Sequence, residues 1–233
     1  MKFGTLTFLT TVTFLGVLAI PVRLAAENPS YPTTTFDAPG AGTAPGSGSG
    51  TFARSINAAG AITGHYADGL AVNHGFLRAP GGEFISFDAP GAGAVAGSGS
   101  GTFPRSINAA GIITGHYNDA NNVNHGFLRS PGGKLITFNA PGADTASGSG
   151  GGTFPESIND AGAIVGHYAD KSGVNHGFLR SPTGEFITFA APAAGTAPGS
   201  GGGTFPRGLN AGGAIIGTYA DANNVNHGFL RSP

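Results

Sequence analysis

Between Thr51 and Pro90 the apolar residues recur in short alternating runs, with no stripe at helical spacing. Ile62, Gly64 and Tyr66 alternate with Thr63 and His65, and Ile85 and Phe87 alternate with Ser86 and Asp88. A two-residue period places successive side chains on opposite faces of an extended chain, so these runs predict strands. Four of them, TFARSIN, AITGHYAD, NHGFLRAP and EFISFDAP, are separated by Ala-Ala-Gly, an Asp-Gly loop and Pro-Gly-Gly. That punctuation predicts four antiparallel strands, here a to d, joined by tight turns.

The same block returns every 51 residues without insertion or deletion. His74, His125, His176 and His227 keep that step, as do Phe36, Phe87, Phe138 and Phe189. A fixed period takes precedence over length in deciding architecture. The reading is one repeat domain over 27–233, made of units 30–80, 81–131, 132–182 and 183–233. A Gly/Ser/Ala stretch of constant length, 91–101 and 142–152 in two copies, spans one fixed distance between units. At this phase the array opens on a d-type segment, TTTFDAP (Thr33 to Pro39), and finishes after a c strand, NHGFLRSP. The fold class expected is therefore all-β: a repeat array of four-stranded antiparallel sheets, forming a four-bladed β-propeller closed by the N-terminal strand. An open β-solenoid-like array is the alternative.

Residues Phe3 to Val22 carry no charge, follow Met1-Lys2 and lead into Leu24-Ala25-Ala26-Glu27. This is the pattern of a signal peptide over 1–26 with cleavage after Ala26; a retained N-terminal anchor is the alternative. The expected location is extracellular or cell-surface, with the periplasm as the other exported compartment. A membrane is a partner only if the segment is retained.

Composition narrows the chemistry. Charged residues make up 10% of the chain and the net charge is −1, so there is no basic face to neutralise a phosphate backbone, and nucleic acid is not expected as a partner. Cysteine is absent, which removes disulfides, thiolate metal sites and a cysteine nucleophile. With 43 Gly and 16 Pro the chain is rich in turn formers, yet the spaced Phe, Ile, Tyr and Leu give each unit apolar groups to bury.

The recurring block Ser55 to Asp68, followed by His74-Gly75-Phe76-Leu77 and Phe87-Asp88-Ala89-Pro90-Gly91, resembles the HAF repeat family of predicted secreted bacterial proteins. Gly75, Gly126, Gly177 and Gly228 stand where the family's name implies alanine, and Asn139 and Ala190 replace the aspartate of the last element. The resemblance implies an extracellular repeat protein and brings no catalytic residue with it.

Three residue sets are candidates for chemistry. His74, His125, His176 and His227 would form a ring of four imidazoles if the units close around an axis, which is a conceivable metal site. The competing reading ties each of them to Asp68, Asp119, Asp170 or Asp221, six residues earlier, in a structural hydrogen-bond network. His65, His116 and His167 lie in strand b, with Thr218 in the fourth copy. Asp119 with Asn121, Asn122 and Asn124 offers oxygen donors of the calcium-loop type, but without a second carboxylate. For ligand binding, Tyr66, Tyr117, Tyr168 and Tyr219 offer aromatic faces, and Arg78, Arg129, Arg180 and Arg231 offer cations at the exposed end of strand c. No cofactor is expected. Near-identical units poorly serve a reaction that needs an acid and a base in different environments. The function expected is a secreted, non-catalytic binding or scaffold module for a glycan, cell-surface polymer or protein. A metal-dependent hydrolase or lyase at the ring axis is the alternative.

Overall fold

The computed structural model describes residues 32–233, so the expected export segment 1–26 lies outside the described residues. Residues 36–233 form one compact unit, and the described residues preceding it carry no strand. The described chain is all-β with no helix. Grouped from strand a to strand d, a phase 20 residues later than units 30–80 and 81–131, the first repeat contains β1 (Gly50–Ile56), β2 (Ile62–Ala67), β3 (Asn73–Arg78) and β4 (Phe84–Phe87). The second contains β5 (Gly101–Ile107), β6 (Ile113–Asn118), β7 (Asn124–Arg129) and β8 (Leu135–Phe138). The third contains β9 (Gly152–Ile158), β10 (Ile164–Ala169), β11 (Asn175–Arg180) and β12 (Phe186–Phe189). The fourth contains β13 (Gly203–Leu209), β14 (Ile215–Ala220) and β15 (Asn226–Arg231). These are the a, b, c and d runs read from the period.

Within a repeat the strands pair antiparallel in chain order, β1 with β2, β2 with β3 and β3 with β4. The repeats are not separate sheets. The starts of the first three c strands also pair, in parallel, with the start of the next a strand: Asn73 with Gly101, Asn124 with Gly152 and Asn175 with Gly203. One 15-stranded sheet therefore runs through the whole array. Each of these bridges needs glycine. Gly101, Gly152 and Gly203 have φ of +130°, +118° and +122°, and a Cβ on any of them would fall on the carbonyl of the facing asparagine.

The expected ring is corrected to an open array. The hydrogen-bonded order runs from β1 to β15, and among the described residues nothing pairs β15 with the N-terminal segment. The reason lies in what a d segment packs against. Ala89 N–H donates to Thr102 Oγ1 of the following repeat at 3.0 Å, and Ala140 and Ala191 make the same bond with Thr153 and Thr204. The N-terminal segment obeys this rule: Ala38 N–H donates to Thr51 Oγ1 at 2.9 Å, and the Phe36 ring meets the Phe76 ring edge-on at 6.4 Å. It is bound to the first repeat, as every d segment is bound to its successor.

The core sits between repeats. Leu77, Phe87 and Ala89 of the first pack on Ile113, Tyr117 and Phe127 of the second, and the next junction is equivalent. Thus one face of strand b packs backward and the other forward, and both are buried. That is why Thr63, Thr114 and Val165, on the face opposite Ile62, Ile113 and Ile164, are fully enclosed. The threonines are satisfied by donating to the carbonyls of Phe76 and Phe127. An asparagine ladder runs alongside: Asn57, Asn108 and Asn159 each donate from Nδ2 to the carbonyl of the asparagine 51 residues on, at 3.1, 3.1 and 3.2 Å.

Candidate functional site

The b–c turn is the most varied part of the repeat, and an aspartate builds it. Asp68 Oδ1 accepts from the backbone N–H of Leu70 and Val72 at 2.8 and 2.9 Å, and Asp119, Asp170 and Asp221 repeat the pattern. This is an Asx-type turn, in which a side-chain oxygen stands in for a backbone acceptor. The other carboxylate oxygen faces the c-strand histidine: Asp68–His74 at 3.5 Å, Asp119–His125 at 3.4 Å, Asp170–His176 at 2.9 Å and Asp221–His227 at 3.4 Å. The carboxyls are held below their ordinary value. At Asp68 the Val72 N–H is the main cause, while at Asp119 and Asp170 burial works the other way and is outweighed by the turn N–H groups and the histidine.

Each of these histidines also stacks on its own tyrosine, Tyr66 on His74 at 5.1 Å and Tyr117 on His125 at 5.0 Å, with Tyr168–His176 and Tyr219–His227 alike. The four imidazoles are thus engaged one per repeat. Among the described residues no group of three or more His, Asp or Glu side chains could hold a metal ion. His74 is held on its second side by Asp88 at 3.0 Å; His125 has Asn139 there at 2.8 Å.

The aromatic and cationic candidates make packing contacts. Tyr66, Tyr117 and Tyr168 are buried, with Gly40, Gly91 and Gly142 of the incoming turn lying against their rings. The arginines clamp d-strand rings: Arg78 lies over Phe36 at 5.0 Å, Arg129 over Phe87 at 4.8 Å, Arg180 over Phe138 at 4.8 Å and Arg231 over Phe189 at 5.1 Å. Arg129 is only 4% exposed, so at this position the cation expected at the exposed end of strand c is covered and makes a cation–π contact with Phe87.

What the array leaves open is a cleft between the Gly/Ser loop and the b–c turns. The loop is pinned at both ends: Gly97 N–H donates to the Leu70 carbonyl at 2.8 Å and Gly93 N–H to the Asn118 carbonyl at 2.8 Å. Gly148 and Gly199 repeat the first contact with Asn121 and Ser172. In one copy the cleft is lined by Ser98, Ser100, Asn118, Asp119 and Asn122, and in the next by Asp144, Ser149, Asp170, Lys171 and Ser172. Its walls carry hydroxyls, amides, carboxylates and backbone groups.

A second row was not foreseen from the sequence. Phe52 stacks on His65, whose edge meets Phe103, and the series continues through His116, Phe154 and His167 to Phe205, with centroid spacings of 4.8–5.3 Å. Beside it run Arg54, Arg105, Glu156 and Arg207, one per repeat. The signal was the cross-strand register, which sets Phe52 opposite His65 once the a–b hairpin is fixed. Burial, helped by Arg54 and Arg105, lowers His65 to about 4, and burial with Arg207 and Arg105 lowers His167 to about 3. His116, enclosed between them, is lowered well below the ordinary imidazole range, again chiefly by burial.

No protein-family model matches this chain, and no curated protein matches it in sequence.

Proposed function

We propose that the chain acts outside the cell as a non-catalytic repeat module that binds, or serves as a scaffold on, a repetitive glycan or cell-surface polymer. The observation that carries this reading is the recurrence of the loop cleft in two successive copies, one 51-residue step apart on one continuous sheet, with Ser and Asp side chains in both and the other side chains different. Equivalent weak sites on a rigid frame gain avidity against a ligand that repeats. The predicted export segment and the likeness to HAF repeats support the extracellular setting. The Tyr and Arg sets, being packed, belong to the frame; the Ser, Asn and Lys171 side chains of the clefts are the contact groups.

The test is retention on a glycan array and on isolated cell-wall polymer. The chain should bind at least one polysaccharide, and Lys171→Ala combined with Ser98→Ala and Asn122→Gly should weaken binding several-fold with the melting temperature unchanged. Failure to be retained on any polymer, or equal retention of the triple variant, refutes the reading.

A further inference from the structure

Midway along each a strand the pairing with strand b slips by one residue, leaving Arg54, Arg105, Glu156 and Arg207 as the extra residue of a β-bulge. A bulge turns its side chain out of the strand's alternation, and these four side chains follow one another at the 51-residue step. One carboxylate thus stands among three guanidiniums. It shows what the space between successive bulges accommodates: Glu156 Oε1 lies 3.0 Å from Nη1 of Arg207 and 4.0 Å from Nδ1 of His167, with the glutamate side chain only 14% exposed.

Between the first and second repeats the equivalent space is walled by donors alone. Arg54 stands in the place of Glu156 there, and Arg105 and His65 take the places of Arg207 and His167. The two bulges are locked in register: the His65 ring lies between Phe52 and Phe103, and the Ile107 N–H donates to Ser55 Oγ at 3.3 Å. His65 is 7% exposed and its Nδ1 is buried with no hydrogen-bond partner, as is Nε of Arg105. Neither Arg54 nor Arg105 forms an ion pair among the described residues, and the Glu156 carboxylate is engaged by Arg207. Burial lowers His65, and Arg54 and Arg105 add to it; burial also lowers Arg105, where Glu156 opposes the shift and Arg54 adds to it. Buried donors that lack an acceptor cost the fold their lost hydration, and a pair of like charges adds to that cost.

From these contacts we infer that the junction of the first and second repeats is a carboxylate-binding site, where a ligand's carboxylate takes between Arg54 and Arg105 the role that Glu156 plays toward Arg207 and His167. The planar fork of each guanidinium matches the two oxygens of a carboxylate. Neutral His65, in its Nδ1–H tautomer, supplies a further donor from below. A ligand free of any strand can approach that nitrogen more closely than the tethered Glu156 approaches His167. Arg54 is exposed, so the site opens to solvent at its side chain, while Arg105 and His65 form its enclosed floor. The site lies on the a-strand bulges, apart from the loop clefts at the b–c turns, and stands whether or not those clefts bind a polymer. A free organic acid and a uronate of an acidic glycan present the same group.

The experiment titrates the full chain, with nitrogen-labelled histidine rings, at neutral pH and low salt, with glutarate and separately with trigalacturonate. The His65 Nδ1 signal, identified by its loss in His65→Phe, should shift and saturate with a Kd on the order of 1 mM, as two charge-assisted contacts give. A lower Kd for trigalacturonate names a glycan uronate as the source of the group, and an equal or higher one names a free acid. Arg54→Gln and Arg105→Gln should each weaken glutarate binding at least several-fold. Arg54→Glu installs the internal carboxylate of the third repeat: it should raise the melting temperature and abolish the saturable shift. Should Arg105→Gln fail to fold, Arg54→Gln and Arg54→Glu decide the matter at the exposed rim. The inference is overturned if neither probe moves His65, if sodium chloride at equal ionic strength produces the same shift, or if Arg54→Glu binds glutarate as the native chain does.

Discussion

The Glu156 carboxylate lies 3.0 Å from the Arg207 guanidinium, at a position where the other three repeats carry arginine. Without that glutamate the row would be four cations deep. Burial raises the Glu156 carboxyl, against the pull of Arg105 and Arg207, while Arg105 is lowered by burial and by Arg54 and kept up by Glu156. Glu156→Arg should destabilise the fold by about 2–3 kcal/mol, and Glu156→Gln by about 1 kcal/mol because Arg207 is half exposed and screened. Thermal melts should also show the arginine variant recovering part of its loss on going from about 0.05 to 0.5 M salt.

Gly126 has no room for a methyl group. A Cβ there would lie 2.5 Å from the Phe138 ring, and the ring is held in place by the junction with the third repeat. Gly126→Ala should cost about 1–3 kcal/mol by overpacking, whereas Gly228→Ala, with open space around it, should stay within about 0.5 kcal/mol. At this chain length the first corresponds to a fall of about 2–4 °C in melting temperature per kcal/mol. Equal melting temperatures would contradict the account of the d-strand ring.

Acid should loosen the array before its aspartates titrate. The folded chain holds His65 at about 4 and His167 at about 3, below the ordinary 6.5, so as pH falls the unfolded chain takes up protons first. Stability is complete above about pH 6.5 and is lost as pH drops toward 4, at about 1.4 kcal/mol per pH unit for each histidine. The turn aspartates add their own loss only below their ordinary 3.8. Melts between pH 7.5 and 4.5 measure the slope. His116→Phe should make it shallower, since it removes one of the three buried imidazoles whose protonation the fold opposes, and the buried Nδ1 it deletes has no hydrogen-bond partner to lose.

Ala71 occupies a left-handed conformation, φ +59°, where the other turns place Asn122, Gly173 and Asn224. A methyl-bearing residue without a compensating polar group is strained there. Ala71→Asn should raise stability by about 0.5–1 kcal/mol, read as a higher melting temperature, with the c-strand contacts unchanged.

The strands, their order and the between-repeat spacing were legible because the period repeats every turn signal four times. The Asp68–His74 contact was legible too, since a six-residue step across one turn leaves few other arrangements. Closure was not. Thr33 to Pro39 reads as a d strand in either case, and the pattern does not say whether its ring packs forward on Phe76 or its backbone pairs elsewhere. The burial of Tyr66, Tyr117 and Tyr168 was hidden for a different reason: alternation suggests one wet face, but here both faces of strand b are covered by neighbouring repeats. On strand c, Arg129 lies under protein, and its guanidinium is answered by Phe87.

The asparagine ladder gives the array a mechanical character. Every rung ties one repeat to the next by an amide that cannot be satisfied alone, so tension applied along the chain is met first at the outermost rungs. Pulled from its ends, the protein should yield one repeat at a time, paying out about 170–180 Å of chain for each 51 residues released. A load carried by such an array would be cushioned in steps.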